Sequence, residues 1–295
     1  MNKLVVVGSI NADVVIHTQR HPQPGETLVG SGGQVSAGGK GANQAVAAAR
    51  LGADVSFVGA VGSDAYAEPA MAHMDCVDTT AVEVVDTNTG LALITVDAAG
   101  ENTIVLSAGA NALVDAPFVT NQSSLVGSAD MVLLQGEIPA EGFAAAVDAA
   151  CGRVVVNLAP VIAVDKDALL KADPLIANEH EAGLILAQFG GPTEGSPREL
   201  AQGLRDAGFN SVVLTLGSAG ALVAEDEFVE IPTPSVDVVD TTGAGDAFAG
   251  ALCARLLQGD TLIDAAFYAA RVGAFAVTSN GAQASYPNLK SELPG

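Results

Sequence analysis

Met131-Val132-Leu133-Leu134, then Glu141-Gly-Phe-Ala-Ala-Ala-Val-Asp-Ala-Ala150, then Val154-Val155-Val156 read in order as strand, helix, strand. The outer runs are short and apolar. The middle one is alanine-rich and long enough for about three helical turns. The same alternation extends in both directions. Leu4–Val7, Val55–Val58 and Val212–Leu216 read as strands; Asn43–Leu51, Glu179–Gln188, Arg198–Ala207, Ala247–Leu257 and Thr261 to about Thr278 read as helices. Each strand is apolar throughout rather than at every second residue, as a strand covered on both faces requires. The expected fold is α/β: a doubly wound, mainly parallel sheet flanked by helices.

Two stretches interrupt the alternation. Val14 to Val35 is rich in Gly, Pro and Gln, and Leu91 to Ser107 reads as a hairpin, Leu91–Val96 and Thr103–Leu106 around Asp97–Asn102. Neither has a helical partner nearby. They are expected to pair, over about residues 14–35 and 90–107, into a small β lid on a single domain spanning residues 1–295. A sheet over the strand ends would exclude water from a transfer reaction. Its exposed edges would suit pairing with a second copy, so a homodimer through the lid is expected.

Composition narrows the function. The net charge is −22, with 34 acidic against 12 basic residues, and the basic residues are scattered singly. No basic surface exists to meet a nucleic acid. No segment has the length of a membrane span, and the apolar run at Leu4–Val7 is too short for a signal peptide. Cys76, Cys151 and Cys253 are odd in number and far apart, which fits reduced thiols in the cytoplasm. The four histidines have no metal-ligand spacing, and Pro22 and Pro24 keep His17 and His21 off a shared helix face.

The stretch richest in chemistry is Asp240-Thr-Thr-Gly-Ala-Gly-Asp246, which opens the apolar helix Ala247–Leu257. Gly243 and Gly245 let the backbone approach a ligand closely. A helix start offers unpaired N–H groups and a positive dipole end, which favour a phosphate. A carboxylate at that place would repel the phosphate unless it had work to do. The obvious work for Asp246 is general base, taking a proton from an attacking hydroxyl. The alternative is a helix cap after a glycine turn.

A second stretch, Gly38-Gly-Lys-Gly-Ala-Asn43, runs into the helix that starts near Asn43. It lacks the spacing of a P-loop, and no G-x-G-x-x-G follows the first strand, which counts against a nucleotide-binding dehydrogenase. What remains is a backbone that can lie close to a small polar ligand, with Lys40 and Asn43 as donors; a plain turn with Asn43 as N-cap is the alternative. In Gly8-Ser-Ile-Asn-Ala-Asp13, at the C-terminal end of the first strand, Asn11 and Asp13 sit two apart and would face the same side. An amide with a carboxylate reads vicinal sugar hydroxyls well, and the C-terminal ends of the strands are where open α/β sheets bind ligands.

With Pro24-Gly-Glu-Thr27, Asn178-Glu-His-Glu181, Thr215-Leu-Gly-Ser-Ala-Gly220 and Gly281-Ala-Gln283, these motifs follow one another in an order that resembles the PfkB (ribokinase) family of carbohydrate kinases over nearly the whole chain. The resemblance implies an ATP-dependent kinase for the primary hydroxyl of a pentose. Ribose fits best; 2-deoxyribose or a nucleoside is the alternative. Asp246 matches the catalytic base, and the Gly243, Ala244 and Gly245 amides match the anion hole. Asn11, Asp13, Gly39, Lys40, Asn43 and Glu137 match sugar contacts. Asn178, Thr215, Gly217, Ser218, Gly220 and Gly245 match nucleotide contacts. Glu181 completes a motif linked to Mg²⁺, although Asn178 with Glu181 also reads as a capping box. Asp240, Thr242, Ala276, Ser279, Gly281 and Ser285 match a site for an activating monovalent cation, K⁺. Two places depart from the family pattern: Ala270 stands where a histidine lies near the adenine, and Pro69 interrupts a would-be helix in the stretch Asp64 to Thr80. Family members that take phosphorylated sugars need a second cationic site. Only Lys40 and Arg20 are basic near the sugar motifs, which favours a neutral sugar. A sugar-binding regulator without activity is the remaining rival, and the intact Asp246 and glycines argue against it.

Overall fold

The structure, a computed structural model, describes residues 2–295; Met1 lies outside them. The chain runs through β1 (Lys3–Val7), β2 (Asn11–His17), β3 (Ser31–Gly38), α1 (Lys40–Arg50), β4 (Asp54–Gly62), α2 (Ala67–Ala70), β5 (Asp78–Val85), β6 (Gly90–Val96) and β7 (Asn102–Ser107). Then come α3 (Ala116–Asn121), α4 (Ser123–Gly127), β8 (Met131–Gln135), α5 (Ala140–Ala149), β9 (Arg153–Asn157), α6 (Lys166–Leu169), β10 (Ala172–Asn178), α7 (Glu179–Gln188) and α8 (Pro197–Ala207). The last elements are β11 (Val212–Thr215), β12 (Ala221–Ala224), β13 (Phe228–Ile231), α9 (Ala244–Leu257) and α10 (Leu262–Ala276).

Nine strands form the main sheet in the order β13-β12-β11-β10-β9-β8-β1-β4-β5. From β11 to β5 every pairing is parallel; β12 and β13 add an antiparallel end. The expected doubly wound sheet is therefore present. Its chain order reverses beside β1: the path leaves β1 for β4 and β5 on one side and returns through β8 on the other. Such a switch opens a crevice at the C-terminal strand ends.

Continuous apolar strands serve two cores at once. Leu4 and Val6 of β1 join the core beneath α1, α9 and α10, while Val5 and Val7 join the core beneath α3, α5, α7 and α8; all four are fully buried. Alternate side chains of a strand point to opposite faces, so both faces need apolar residues.

The interrupting stretches do form a second sheet, in the order β3-β2-β6-β7. It reaches further than expected, back to Asn11 and forward to Gly38. Its central pair, β2 with β6, is parallel, while the outer pairs are antiparallel. Residues directly opposite share a face. The row Ser36–Asp13–Ala92–Leu106 lies on one side and the row Val35–Val14–Leu93–Val105 on the other. The stretch around Pro69 is broken as expected, with α2 only four residues long and a separate 3-10 turn at Met74–Cys76. Among the described residues no helix is long and apolar enough to cross a membrane.

Candidate active site

The sequence motifs converge on the C-terminal edge of the main sheet. Gly8 and Ser9 follow β1, Gln135 to Glu137 end β8, Asn157 ends β9, and Asn178 faces Thr215 across the β10–β11 pairing.

The glycine turn before α1 is shorter than expected. β3 ends at Gly38 and α1 begins at Lys40, so Gly39 alone joins them and is the N-cap, with no side-chain cap. Its φ of 88° and its packing both demand glycine: a Cβ there would lie 2.7 Å from the Asn11 nitrogen. Asn43 is therefore not the N-cap. It sits in the helix, 6% exposed, with its side chain turned to Asp246.

Asp246 lies at the third helical position of α9, behind the Gly243 N-cap. Its carboxylate does not cap the helix, so the capping alternative fails. Asn43 Nδ2 donates to Oδ2 and Gln44 Nε2 donates to Oδ1, each at 2.9 Å. Close packing of α1 on α9 permits this: a Cβ on Gly250 would lie 2.5 Å from the Gln44 carbonyl oxygen. Ahead of Asp246, the Ala244 N–H donates to Thr241 O at 3.3 Å. A Cβ added at Gly245 would meet open space, so the helix start is open on that side, as an anion would require.

Around the carboxylate stand four more charged groups. Glu137 Oε2 accepts from Ser9 Oγ at 2.6 Å and from the Lys40 N–H at 3.0 Å. Burial pushes its ionisation up. Burial also raises Asp13, with help from the Glu137 and Asp246 charges and against Lys40, to about 7. Asp246 is the largest cause of a raised Lys40, with Glu137, Glu181 and Asp13 adding to it against burial. Burial raises Glu181 as well. A cavity of about 350 Å³ opens on Asn11 and Glu137, bounded by Leu106 to Ala108 at the end of β7. Asn11 is locked in place, its Oδ1 accepting from Asn111 Nδ2 at 2.7 Å.

Asn178 and Glu181 do form a capping box on α7, with both reciprocal bonds present at 2.8 and 2.9 Å. Thr215 ends β11, and Gly217, Ser218 and Gly220 make the tight turn into β12. Ala270 is buried, and its carbonyl oxygen faces Thr233 Oγ1 at 3.4 Å. Asp240 accepts from the Thr242 and Gly281 amides at 2.9 and 2.8 Å. Burial raises its ionisation, but these hydrogen bonds outweigh that and hold it low. Ser285 Oγ donates to Ala282 O at 2.9 Å, Ala276 ends α10, and Ser279 is exposed.

Sequence reasoning did not single out Ser9, Gln44, Asn111, Gln135, Asn157 or Gln283 as contacts. Each is a buried polar side chain. Ser9, Gln44, Gln135 and Gln283 lie within or beside the motifs, which was the available signal.

A doubly wound sheet carrying a glycine-led helix start, an oriented carboxylate and a roofing second sheet is the architecture of a ribokinase-like α/β kinase. The chain belongs to the pfkB family of carbohydrate kinases, whose model matches residues 1–289. It is 38% identical to a ribokinase of Schizosaccharomyces pombe, over 98% of this chain and 96% of that protein. It is 34% identical to a deoxyribokinase of Salmonella typhimurium, over 97% and 96%. A ribokinase structure from Thermotoga maritima superimposes with a TM-score of 0.90 at 32% identity, covering 98% and 97% of the two chains. An Arabidopsis thaliana ribokinase complexed with ribose and ATP gives 0.84 at 32% identity, covering 97% and 96%.

Proposed function

We propose that the protein transfers the γ-phosphoryl group of ATP to the primary 5-hydroxyl of D-ribose, giving D-ribose 5-phosphate. The observation that carries this is the Asp246 carboxylate, buried at a helix start and aimed by two amides from the sugar-side helix. The sugar lies between Asn11, Asp13 and Glu137 on one side and Gly39, Lys40 and Asn43 on the other. ATP lies along Asn178, Thr215 and the Gly217–Gly220 turn, with its γ-phosphate at Gly243–Gly245. Asp246 takes the proton of the hydroxyl as its oxygen attacks phosphorus in line, and the first-turn amides hold the developing charge.

The residues fit two ions. Glu181 has one carboxylate oxygen engaged by the Asn178 amide, which leaves the other for the hydrated Mg²⁺ of ATP. Asp240 and Thr242, with the carbonyls of Ala276, Ser279 and Gly281 and the Ser285 hydroxyl, would hold K⁺ through oxygen atoms alone. Bound there, Mg²⁺ would neutralise charge on the phosphates and K⁺ would supply positive charge to the anion site.

A neutral sugar is favoured because, among the described residues, neither basic side chain near the sugar motifs is spare. Arg20 donates to the Glu26 carboxylate at 2.6 Å, and Lys40 is surrounded by four carboxylates. The second reading, 2-deoxyribose, rests on the deoxyribokinase relative. The second sheet acts as the lid of a single domain, and its apolar outer row is the contact of a homodimer. The three free cysteines support the reading of a cytoplasmic enzyme.

The test is ADP release with Mg·ATP, with and without K⁺, across ribose, 2-deoxyribose, fructose, fructose 6-phosphate and adenosine. K⁺-stimulated turnover on ribose is expected. Preference for another of these would overturn the sugar assignment but keep the base and anion hole. Asp246→Asn should lower kcat by roughly 10²–10⁴-fold; near-parental turnover would remove Asp246 as the base.

A further inference from the structure

Asp246 stands at the centre of a buried chain of side-chain amides. On one side, Gln135 Nε2 donates to Gln44 Oε1 at 2.8 Å, and Gln44 Nε2 donates to Asp246 Oδ1 at 2.9 Å. On the other, Gln283 Nε2 donates to Asn43 Oδ1, and Asn43 Nδ2 donates to Asp246 Oδ2, both at 2.9 Å. Gln44 Nε2 also donates to Asn157 Oδ1 at 2.9 Å, and Asn157 Nδ2 donates to Ile176 O at 3.0 Å. These amides are all buried; Gln44 is fully so, and Gln135 and Gln283 are 1% exposed.

The orientation of each amide follows from the carboxylate. An ionised carboxylate only accepts, so Asn43 and Gln44 must present nitrogen to it. Their oxygens then face outward, and Gln135 and Gln283 must present nitrogen to those. The two arms therefore have the same polarity, each of their four linking N–H groups donating toward Asp246. The sequence ends at two oxygens, Gln135 Oε1 and Gln283 Oε1, which are the buried side-chain atoms left without a partner among the described residues. A buried acceptor left unpaired carries a cost, so something must offset it. Four aligned amide dipoles converging on one buried anion provide that, because hydrogen bonds to charged groups are the strong ones and aligned bonds polarise one another.

We infer that Gln44 and Gln283, backed by Gln135, are positioning residues that orient the Asp246 carboxylate through two converging amide arms. The inference rests on the reading of Asp246 as general base. The arms fix the two carboxylate oxygens in rotation and leave their remaining lone pairs for the sugar hydroxyl. They come from three separate parts of the chain: α1, the end of β8, and the segment after α10. The sugar-side helix and the helix that carries the base are thereby tied through side chains as well as by backbone packing.

The experiment is a steady-state comparison of Gln44→Leu, Gln283→Met and Asp246→Asn, with the double variants Gln44→Leu/Asp246→Asn and Gln283→Met/Asp246→Asn. Gln44→Leu should lower kcat by about 10–100-fold, the effect of one charge-assisted hydrogen bond. Gln283→Met, one amide further out, should lower it by about 3–10-fold on the cooperative share of such a bond. KM for ribose should stay within about threefold of the parent in both. On the Asp246→Asn background, either change should cost less than about twofold, because there is no base left to orient. The same factor on both backgrounds would make the arms structural only and overturn the inference. So would folded variants with parental kcat. If Gln44→Leu does not fold, the Gln283→Met pair decides by itself. Full activity of Asp246→Asn would instead remove the base, a failure distinguishable from that of the arms.

Discussion

At the scale of single residues, the site sets a half-buried carboxylate against its own stability. Asp13 is raised to about 7 by burial and by the Glu137 and Asp246 charges. Between its ordinary value of 3.8 and about 7, the folded chain keeps a proton that the unfolded chain has released. Stability from this group therefore falls as pH rises through that window and stays low above it. Asp13→Asn should be more stable than the parent at pH 8 by about 1–3 kcal/mol, and no more stable at pH 4. Equal melting temperatures at pH 8 would mean that the carboxylate is not strained. In exchange, an ionised carboxylate accepts on all its lone pairs, which suits the sugar contact proposed for Asp13. KM for ribose should rise as pH drops from 8 to 6 in the parent and stay flat, though higher, in Asp13→Asn. The amide arms lie at the same scale, and the sequence hid them. Gln44 reads as an ordinary polar residue in an alanine-rich helix, yet its side-chain partners lie 91, 113 and 202 residues away. No local pattern encodes contacts of that kind. The position of Asp246 was legible because the neighbouring glycines and the helix start lie within one short stretch.

At the scale of elements, what could be read depended on periodicity. Strands β1, β8, β9 and β11 are unbroken apolar runs and were recognisable as such. The strand β10 was not, since Ala172-Asp173-Pro174 places a charge and a proline at its start. The start of α1 was misplaced by three residues because Lys40-Gly41-Ala42 carries no capping signal; the cap is a backbone conformation of Gly39, fixed by its contact with Asn11 and Ser9. At α7 the capping reading of the motif is borne out, and it is compatible with the proposed nucleotide contact. Asn178 caps the helix, and the same residue lies opposite Thr215 at the strand ends proposed to bind nucleotide. Asn178→Ala should cost about 1 kcal/mol of stability and raise KM for ATP. Asn178→Ser restores the cap with a shorter side chain. Recovery of stability without recovery of ATP affinity would separate the two jobs, and joint recovery would leave Asn178 as a cap alone.

At the scale of the whole molecule, the second sheet has two distinct sides. The row with Asp13 and Leu106 faces the site. The opposite row, Val35–Val14–Leu93–Val105, is apolar and open: Leu93 is 45% and Val105 60% exposed, and Ile16 beside them is 37% exposed. An apolar sheet face on a chain with net charge −22 needs a cover. Sedimentation should find a dimer at micromolar concentration, and Leu93→Lys with Val105→Lys should give a monomer that still folds. A monomeric parent would remove the dimer. The second sheet is also joined to the main body at short spacing. Only Gly8, Ser9 and Ile10 separate β1 from β2, and only Gly39 separates β3 from α1. No slack lies between the roof and the helix bearing Lys40, Asn43 and Gln44. A tilt of the roof therefore acts on α1 as a crank acts on its shaft, turning Lys40, Asn43 and Gln44 in a single stroke.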